Sequence, residues 1–242
     1  MPHRYDRAFK QCDLRGRYPE EVNEELAYRL GRALVAVAQG GLVAVAGDVR
    51  LSTPSLKERL LAGLAEAGAA PVDCGTLPTP GYYFARLALG AQVGVMVTAS
   101  HSPPDHNGFK PVLGPLPITP EGLAGLHEVV ERGDFPAAEA GRIAQRPMRD
   151  EYVAWLVDTW REELGPAARA LRVAVDCGNG SHSDIAPEVL EALGVDCVPL
   201  FCEPDGSFPN RSPDVSRPEA LEGLAEAVRQ DGADLGLSLI HI

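Results

Sequence analysis

The chain has 242 residues, 45% of them hydrophobic and 23% charged, which suffices for a buried core and for one large domain or two ordinary ones at roughly 100–200 residues each. With 34 acidic against 22 basic side chains the formal net charge is -12, so the surface on average repels a phosphate backbone, and nucleic acid is excluded as a partner. The five cysteines are scattered, odd in number and never spaced as CxxC, which argues against a zinc site or disulfide framework and predicts reduced core thiols; the polar N-terminus and the lack of any run near the ~20 apolar residues of a membrane span predict a cytoplasmic chain with no membrane partner.

Helical and strand-like patterns alternate along the sequence. Residues 21–39 set Val22, Leu26, Leu30, Ala33, Leu34 and Val37 on one helical face, and Gly40-Gly41 stops that helix. The apolar run Leu42 to Ala46 predicts a buried strand. Ser52-Thr53-Pro54 has the form of a helix start, a cap residue ahead of proline, and the helix is expected to run to about Gly68. A strand from Ala70 to Asp73, a rigid turn GTLPTPG (75–81), a helix from Tyr82 to Leu89 and a strand from Val93 to Val97 follow. Then comes the loop TASHSPPDHNGFK, in which Asn107-Gly108 is expected to make a tight turn with positive φ, and a short strand near Phe109 to Val112.

A proline-rich connection over 111–120 leads to another helix, and 133–147 has the polar, Ala/Gly/Pro composition of a linker. The pattern then restarts: a helix bearing two tryptophans (Asp150 to Leu164), a strand (Leu171 to Val175), the turn DCGNGSHSD, a helix to Leu193, a strand (Val195 to Leu200), the irregular PDGSFPNRSPD, a helix to Gln230 and an apolar run from Asp234. The fold class predicted is α/β, as two consecutive α/β domains with mixed sheets flanked by helices, over 1–148 and 149–242.

In open α/β sheets, function gathers in the loops after the carboxyl ends of strands, here 47–52, 74–81, 98–110 and 176–183. The richest is VMVTASHSPPDHNGFK (95–110), with a serine held at a strand end by two prolines and a lysine and two histidines close by. A hydroxyl that accepts and returns a phosphoryl group needs rigid placement and nearby positive charge, which Lys110 and His101 can supply. Taken as residue types alone, Ser100 reads as a polar loop residue, Arg15 as a surface cation or partner of Asp13, and Lys110 as a strand-end lysine. Asp48 and Arg50 divide between function and bracing the loop. His106 reads as a solvated loop residue, and Gly178, Asn179 and Gly180 as either a phosphate cradle or a structural turn.

As a whole string, TASHSPPDHNGFK resembles the phosphoserine loop of the α-D-phosphohexomutases, T-[AG]-S-H-N-P followed by N-G-x-K. FKQCDLRG (9–16) is similar to that family's opening F-K-x-Y-D-I-R-G, and AGDVRLS (46–52) to its G-x-D-x-R-x-S turn. LPTPG (77–81), DCGNG, EPDGSFPNRSPD and GADLGL also match, in the right order. The nearest branch is the phosphomannomutase/phosphoglucomutase type; a phosphoglucosamine mutase, whose opening is usually T-D-G-x-R-G, and a short non-catalytic sugar-phosphate-binding or regulatory protein stand as alternatives.

The resemblance implies an intramolecular phosphotransferase acting on a hexose phosphate. Phospho-Ser100 donates its phosphate to a free sugar hydroxyl, the bisphosphate turns over, and the other phosphate returns to Ser100. Lys110 is then the general acid/base, His101 and Arg15 hold the phosphoryl group, and Mg²⁺ bridges Ser100 through its phosphate. Three departures stand against the pattern. Cys12 replaces an aromatic residue, Ser102 replaces an asparagine, and after Gly236 the sequence reads LSLIHI (237–242) where the family has the Asp-rich loop D-G-D-x-D-R that holds the metal. The expectation is a truncated chain, its last residues foreign to the family, inactive alone but belonging to an active full-length enzyme; His241 and Ser238 are not expected to replace the missing ligands.

Overall fold

A computed structural model describes residues 4–38, 41–116, 118–165 and 170–239. The elements gather into two units, the first made of residues 1–76, 82–99 and 105–147 and the second of 77–81, 100–104 and 148–242.

The first unit holds a six-stranded sheet of order β1-β5-β4-β2-β3-β6: β1 (Leu14–Arg17), β2 (Leu42–Gly47), β3 (Ala70–Thr76), β4 (Val93–Val97), β5 (His106–Leu113) and β6 (Ala144–Gln145). The pairs β2/β3, β2/β4 and β3/β6 are parallel, whereas β1/β5 and β4/β5 are antiparallel. The Val- and Ala-rich β2 and β4 are buried almost throughout, as parallel strands covered on both faces require.

Helix α1 (Glu24–Ala38) starts where the Asn23 Oδ1 accepts from the Leu26 N–H at 3.0 Å, an N-cap bond. Its Leu26, Leu30 and Leu34 join Leu56, Leu60 and Leu64 of α2 (Thr53–Glu66), Val43, Val45, Val95 and Phe109 of the sheet, and Leu126 of α4 (Pro120–Arg132) in one core. The backbones of α1 and α2 touch at Gly63, where a Cβ would sit 2.2 Å from the Tyr28 carbonyl oxygen. Thr119 caps α4 ahead of Pro120, and Gly133 closes it in the left-handed conformation.

The second unit carries the three-stranded parallel sheet β8-β7-β9, with β7 (Arg172–Asp176) central, β8 (Asp196–Leu200) and β9 (Leu235–Ser238). Alternation along β7 sorts its two faces. Ala174 packs with Leu224 and Ala227 of α7 (Glu222–Asp231), and Val175 with Ala186 of α6 (Ala186–Ala192). Helices α3 (Thr79–Ala88) and α5 (Arg149–Leu164) complete the set; Trp155 and Trp160 on α5 are about half exposed.

Four local expectations need correction. Asn107 and Gly108 lie inside β5, not in a turn, and neither has positive φ, because β1, which the sequence reading did not identify, recruits them by pairing Arg15 with Gly108. His106 likewise begins that strand, with its Nδ1 2.7 Å from Asp105 Oδ1. Ser52 occupies the N-cap position of α2 in helical conformation and makes no side-chain cap bond. The linker-like stretch 133–147 includes β6, which extends the sheet at β3. His241 lies outside the described residues.

Candidate active site

Strands β1 and β5 fix two of the four proposed site residues. The antiparallel register sets Leu14 opposite Phe109 and Arg15 opposite Gly108, so its continuation brings Asp13 opposite Lys110. Leu14 and Phe109 are fully buried on the core side. Because side chains alternate, Asp13, Arg15 and Lys110 share the other face. The Lys110 Nζ donates to Asp13 Oδ2 at 3.0 Å and an Arg15 guanidinium nitrogen donates to the same oxygen at 2.5 Å.

Burial by itself raises the Asp13 carboxyl, but the hydrogen bonds from Arg15 and Lys110 outweigh it and hold the group below the ordinary carboxylate range. Around Asp13 one carboxylate meets two cations, and Arg15 and Lys110 keep about a quarter of their side-chain surface open. Asp13, which sequence reasoning treated only as a partner for Arg15, is thus the tether of both cations. The spacing of two between Asp13 and Arg15 was the available signal, since i and i+2 of an extended chain face one way.

Gly108 explains how the two strands come so near. A Cβ there would stand 2.1 Å from the Leu14 carbonyl oxygen and 3.1 Å from Arg15 Cα.

The turn after β2 is a buried brace. Asp48 Oδ1 accepts from the Thr53 hydroxyl at 2.6 Å and from the Arg50 N–H at 3.0 Å, and the Arg50 guanidinium lies 3.2 Å from Asp48 Oδ2. Arg50 also donates to the His106 carbonyl at 3.0 Å. Burial pulls the Arg50 guanidinium down, with the Asp48 charge opposing. Both side chains are fully inaccessible, and they brace the loop from within. Asn107 ties the same turn to β5: its amide nitrogen donates to Ser52 Oγ at 2.8 Å and to Thr53 Oγ1 at 3.0 Å. Those hydroxyls are engaged in this brace, and Ser52 accordingly caps nothing.

Ser100 lies three residues past the end of β4. Its neighbour Thr98 is pinned by an N–H donated to the Gly108 carbonyl. Ser100 itself is nearly buried and has φ 55, the left-handed region that disfavours a residue with a Cβ. Such a conformation costs roughly 1–3 kcal/mol and persists only where its surroundings impose it, typically at functional positions. Ser100 Oγ stands 3.3 Å from His101 Nδ1, and His101 is exposed. Ser100 and His101 thus form one pair, in the second unit, and Arg15 and Lys110 another around Asp13, in the first.

The turn 176–180 has the glycine pattern of a phosphate cradle, yet its N–H groups are occupied. Gly178 donates to Asp176 Oδ1, Asn179 to the Phe201 carbonyl and Gly180 to the Cys177 carbonyl. Asp176 is also bound by Arg211 at 2.7 Å. This turn is structural.

Among the described residues, no group of three or more His, Cys, Asp or Glu side chains could hold a metal ion. Among the described helices none is long and apolar enough to cross a membrane.

Comparison with known proteins agrees on one group. A family model described as phosphoglucomutase/phosphomannomutase, alpha/beta/alpha domain I, matches residues 6–137, and its domain II counterpart matches residues 151–239. A phosphomannomutase/phosphoglucomutase of Pseudomonas putida is 41% identical over 236 residues, covering 96% of this chain and 50% of the relative. A phosphoglucomutase of Neisseria gonorrhoeae is 36% identical, with 95% of this chain and 50% of the relative covered. The crystal structure of a phosphoglucomutase/phosphomannomutase family protein from Burkholderia thailandensis superposes with a TM-score of 0.85 at 36% identity, over 95% of this chain and 51% of that one. The chain spans about half the length of the curated relatives it matches.

Proposed function

The chain belongs to the phosphoglucomutase/phosphomannomutase family, and from that premise we propose that it supplies the phosphoryl-relay half of an enzyme interconverting hexose 1-phosphate and hexose 6-phosphate, with mannose and glucose phosphates as substrates. In this reading residues 1–148 are the family's first domain and residues 149–242 belong to its second.

The observation that carries it is Ser100: a nearly buried hydroxyl, at a strand end, in a left-handed conformation and facing His101. Phosphoryl transfer depends mainly on positioning and on stabilising charge. A serine fixed by its backbone presents its Oγ in one direction, which suits an oxygen that both gives and receives the group. In the forward step the phosphate on Ser100 Oγ passes to a sugar hydroxyl, the P–Oγ bond breaking as the new P–O bond forms; the sugar hydroxyl gives its proton to a base and the departing Oγ takes one up, so that phosphoserine and sugar hydroxyl become serine hydroxyl and sugar phosphate. Lys110 is the proton carrier, taking the sugar proton as the neutral amine and giving one up as the ammonium; Asp13 holds its nitrogen in place through the 3.0 Å hydrogen bond. Arg15, tied to the same carboxylate, adds a planar donor for phosphoryl oxygens. His101 supplies a second nitrogen beside Oγ. Mg²⁺ belongs to the family's chemistry as the charge-neutralising ion, but the described residues do not form its site, and no step here is routed through it.

The test is the intact mass and peptide map of protein isolated from cells, together with mutase assays on this chain and on a full-length version. Phosphate on Ser100, and loss of interconversion in full-length Ser100→Ala, are expected. Full turnover by that variant would end the reading. Competition between mannose, glucose and glucosamine phosphates in the same assay identifies the preferred sugar.

A further inference from the structure

Outside the candidate active site, the first unit buries a cation that no carboxylate answers. Arg86 lies in the last turn of α3 and is only 6% exposed. Its Nη1 donates to the Ala91 carbonyl at 3.2 Å and to the Gly114 carbonyl at 3.1 Å. Its Nε is shut off from water and has no acceptor among the described residues, and none of their carboxylates forms an ion pair with the guanidinium.

The surroundings are held by backbone bonds. The Ala91 N–H donates back to the Arg86 carbonyl at 3.0 Å, so the two residues are joined twice, and the Gly114 N–H donates to the Gln92 carbonyl at 2.8 Å. Gly90 and Gly114 take φ 66 and 82 and turn the chain sharply after α3 and after β5. Arg86 thus stitches the two turns together. Residues of both line a cavity of about 430 Å³, formed by Arg86, Leu87, Ala91, Gln92, Gly114 and Pro115, a size that suits a small molecule. A Cβ on Gly90 or Gly114 would meet nothing within 4 Å, so the turns leave that space open.

A guanidinium is charged at any physiological pH, and burying it costs free energy unless a partner offsets the lost hydration. Two carbonyls and the negative end of the α3 dipole offset part of that cost, but neither is a countercharge. The cavity is where one can sit. Its walls at Leu87, Ala91 and Pro115 are apolar, and Leu87 and Leu116, 69% and 71% exposed, carry apolar surface outside. One planar cation against apolar walls matches a planar monoanion with a hydrocarbon body. A phosphate dianion would need more donors than one guanidinium supplies.

We propose that this cavity binds a small apolar carboxylate, with the carboxylate group against Arg86 and the hydrocarbon part against Leu87, Ala91 and Pro115. The site stands apart from the phosphoryl-relay reading and does not depend on it.

The experiment is an amide NMR titration of the isotope-labelled 242-residue protein with benzoate, with uncharged benzamide and with inorganic phosphate. Benzoate should give saturable shifts centred on the amides of Leu87, Ala91, Gln92 and Gly114, and benzamide and phosphate should bind about tenfold more weakly or worse. Arg86→Met, which removes the charge and keeps similar bulk, should abolish benzoate binding, with circular dichroism as the check on folding. Leu87→Glu changes an exposed position and sets a negative charge beside the cavity, so it should weaken benzoate several-fold; it decides the matter if Arg86→Met does not fold. Benzamide binding as tightly as benzoate would reduce the site to an apolar hollow, and phosphate binding as tightly would make it a general anion site. Either result would overturn the proposal, as would the lack of a saturable shift at about 10 mM benzoate or unchanged benzoate binding by Leu87→Glu.

Discussion

Replacing Asp13 by asparagine removes the negative charge that joins Lys110 to Arg15 while keeping the shape of the side chain. A hydrogen bond to a charged group contributes roughly 1.5–3 kcal/mol, and the wild-type carboxylate oxygen accepts two of them, at 3.0 and 2.5 Å. Asp13 is only 10% exposed, but its partners are 25% and 27% exposed, so water screens part of that gain. Asparagine retains one neutral acceptor, and it leaves two cations facing each other with no carboxylate between them. A net loss of about 2 kcal/mol is expected at neutral pH, or a fall of about 1 M in the urea midpoint for a slope near ~2 kcal/mol/M.

The pH dependence sharpens the test. Burial opposes ionisation of Asp13, yet the two hydrogen bonds win and its folded pKa lies below the unfolded value of about 3.9. The stabilisation is therefore fully present above about pH 4 and fades as the pH falls through the lower folded value. Wild type and Asp13→Asn should differ at pH 7 and converge at the acid end. Equal midpoints at neutral pH, or a gap that survives unchanged in strong acid, would refute the tether. If Lys110 carries the proton as proposed, the same variant in an active, longer version of the protein should lower kcat with a smaller effect on KM.

Gly108→Ala should destabilise the first unit by more than about 3 kcal/mol, because its Cβ would meet the Leu14 carbonyl oxygen at 2.1 Å; amide hydrogen exchange should show β1 unprotected, and a neutral melt would contradict the close pairing. Ser100→Gly should melt about 1 kcal/mol above Ser100→Ala, since only glycine relieves the φ of 55, and the reverse order would show that the conformation is unstrained. Asp48→Asn should cost roughly 3–5 kcal/mol by leaving the buried Arg50 without its counter-charge; a loss under about 1 kcal/mol in denaturant titration would mean the pair is hydrated.

The long amphipathic helices and apolar strands were legible because their periodicity is set by burial, and α1, α2, β2 and β4 appear where the pattern places them. The short edge strands were not. β1 has only four residues and β6 two, and neither carries a recognisable alternation, since an edge strand is defined by its partner more than by its own composition. The Asn-Gly pair misled for the same reason: its local preference for a turn yields to pairing with β1, where glycine serves close approach. The phosphate-cradle reading of Gly178 to Gly180 could not be weighed from sequence, because the acceptors that occupy those N–H groups include Phe201, distant along the chain. Asp13 was visible as a neighbour of Arg15, but its reach to Lys110 depends on strand register, which no spacing in the sequence reveals.

That register leaves the site no tolerance for slippage. With side chains alternating, a shift of β1 by a single residue along β5 would carry Asp13 and Arg15 across to the face now filled by Leu14 and Phe109, and would bring Leu14 out into water. Two charges would have to enter an apolar interior at the moment a leucine left it. The hydrophobic core thus acts as the gauge that sets the cations' address: any sequence drift that keeps Leu14 and Phe109 apolar also keeps Arg15 and Lys110 side by side.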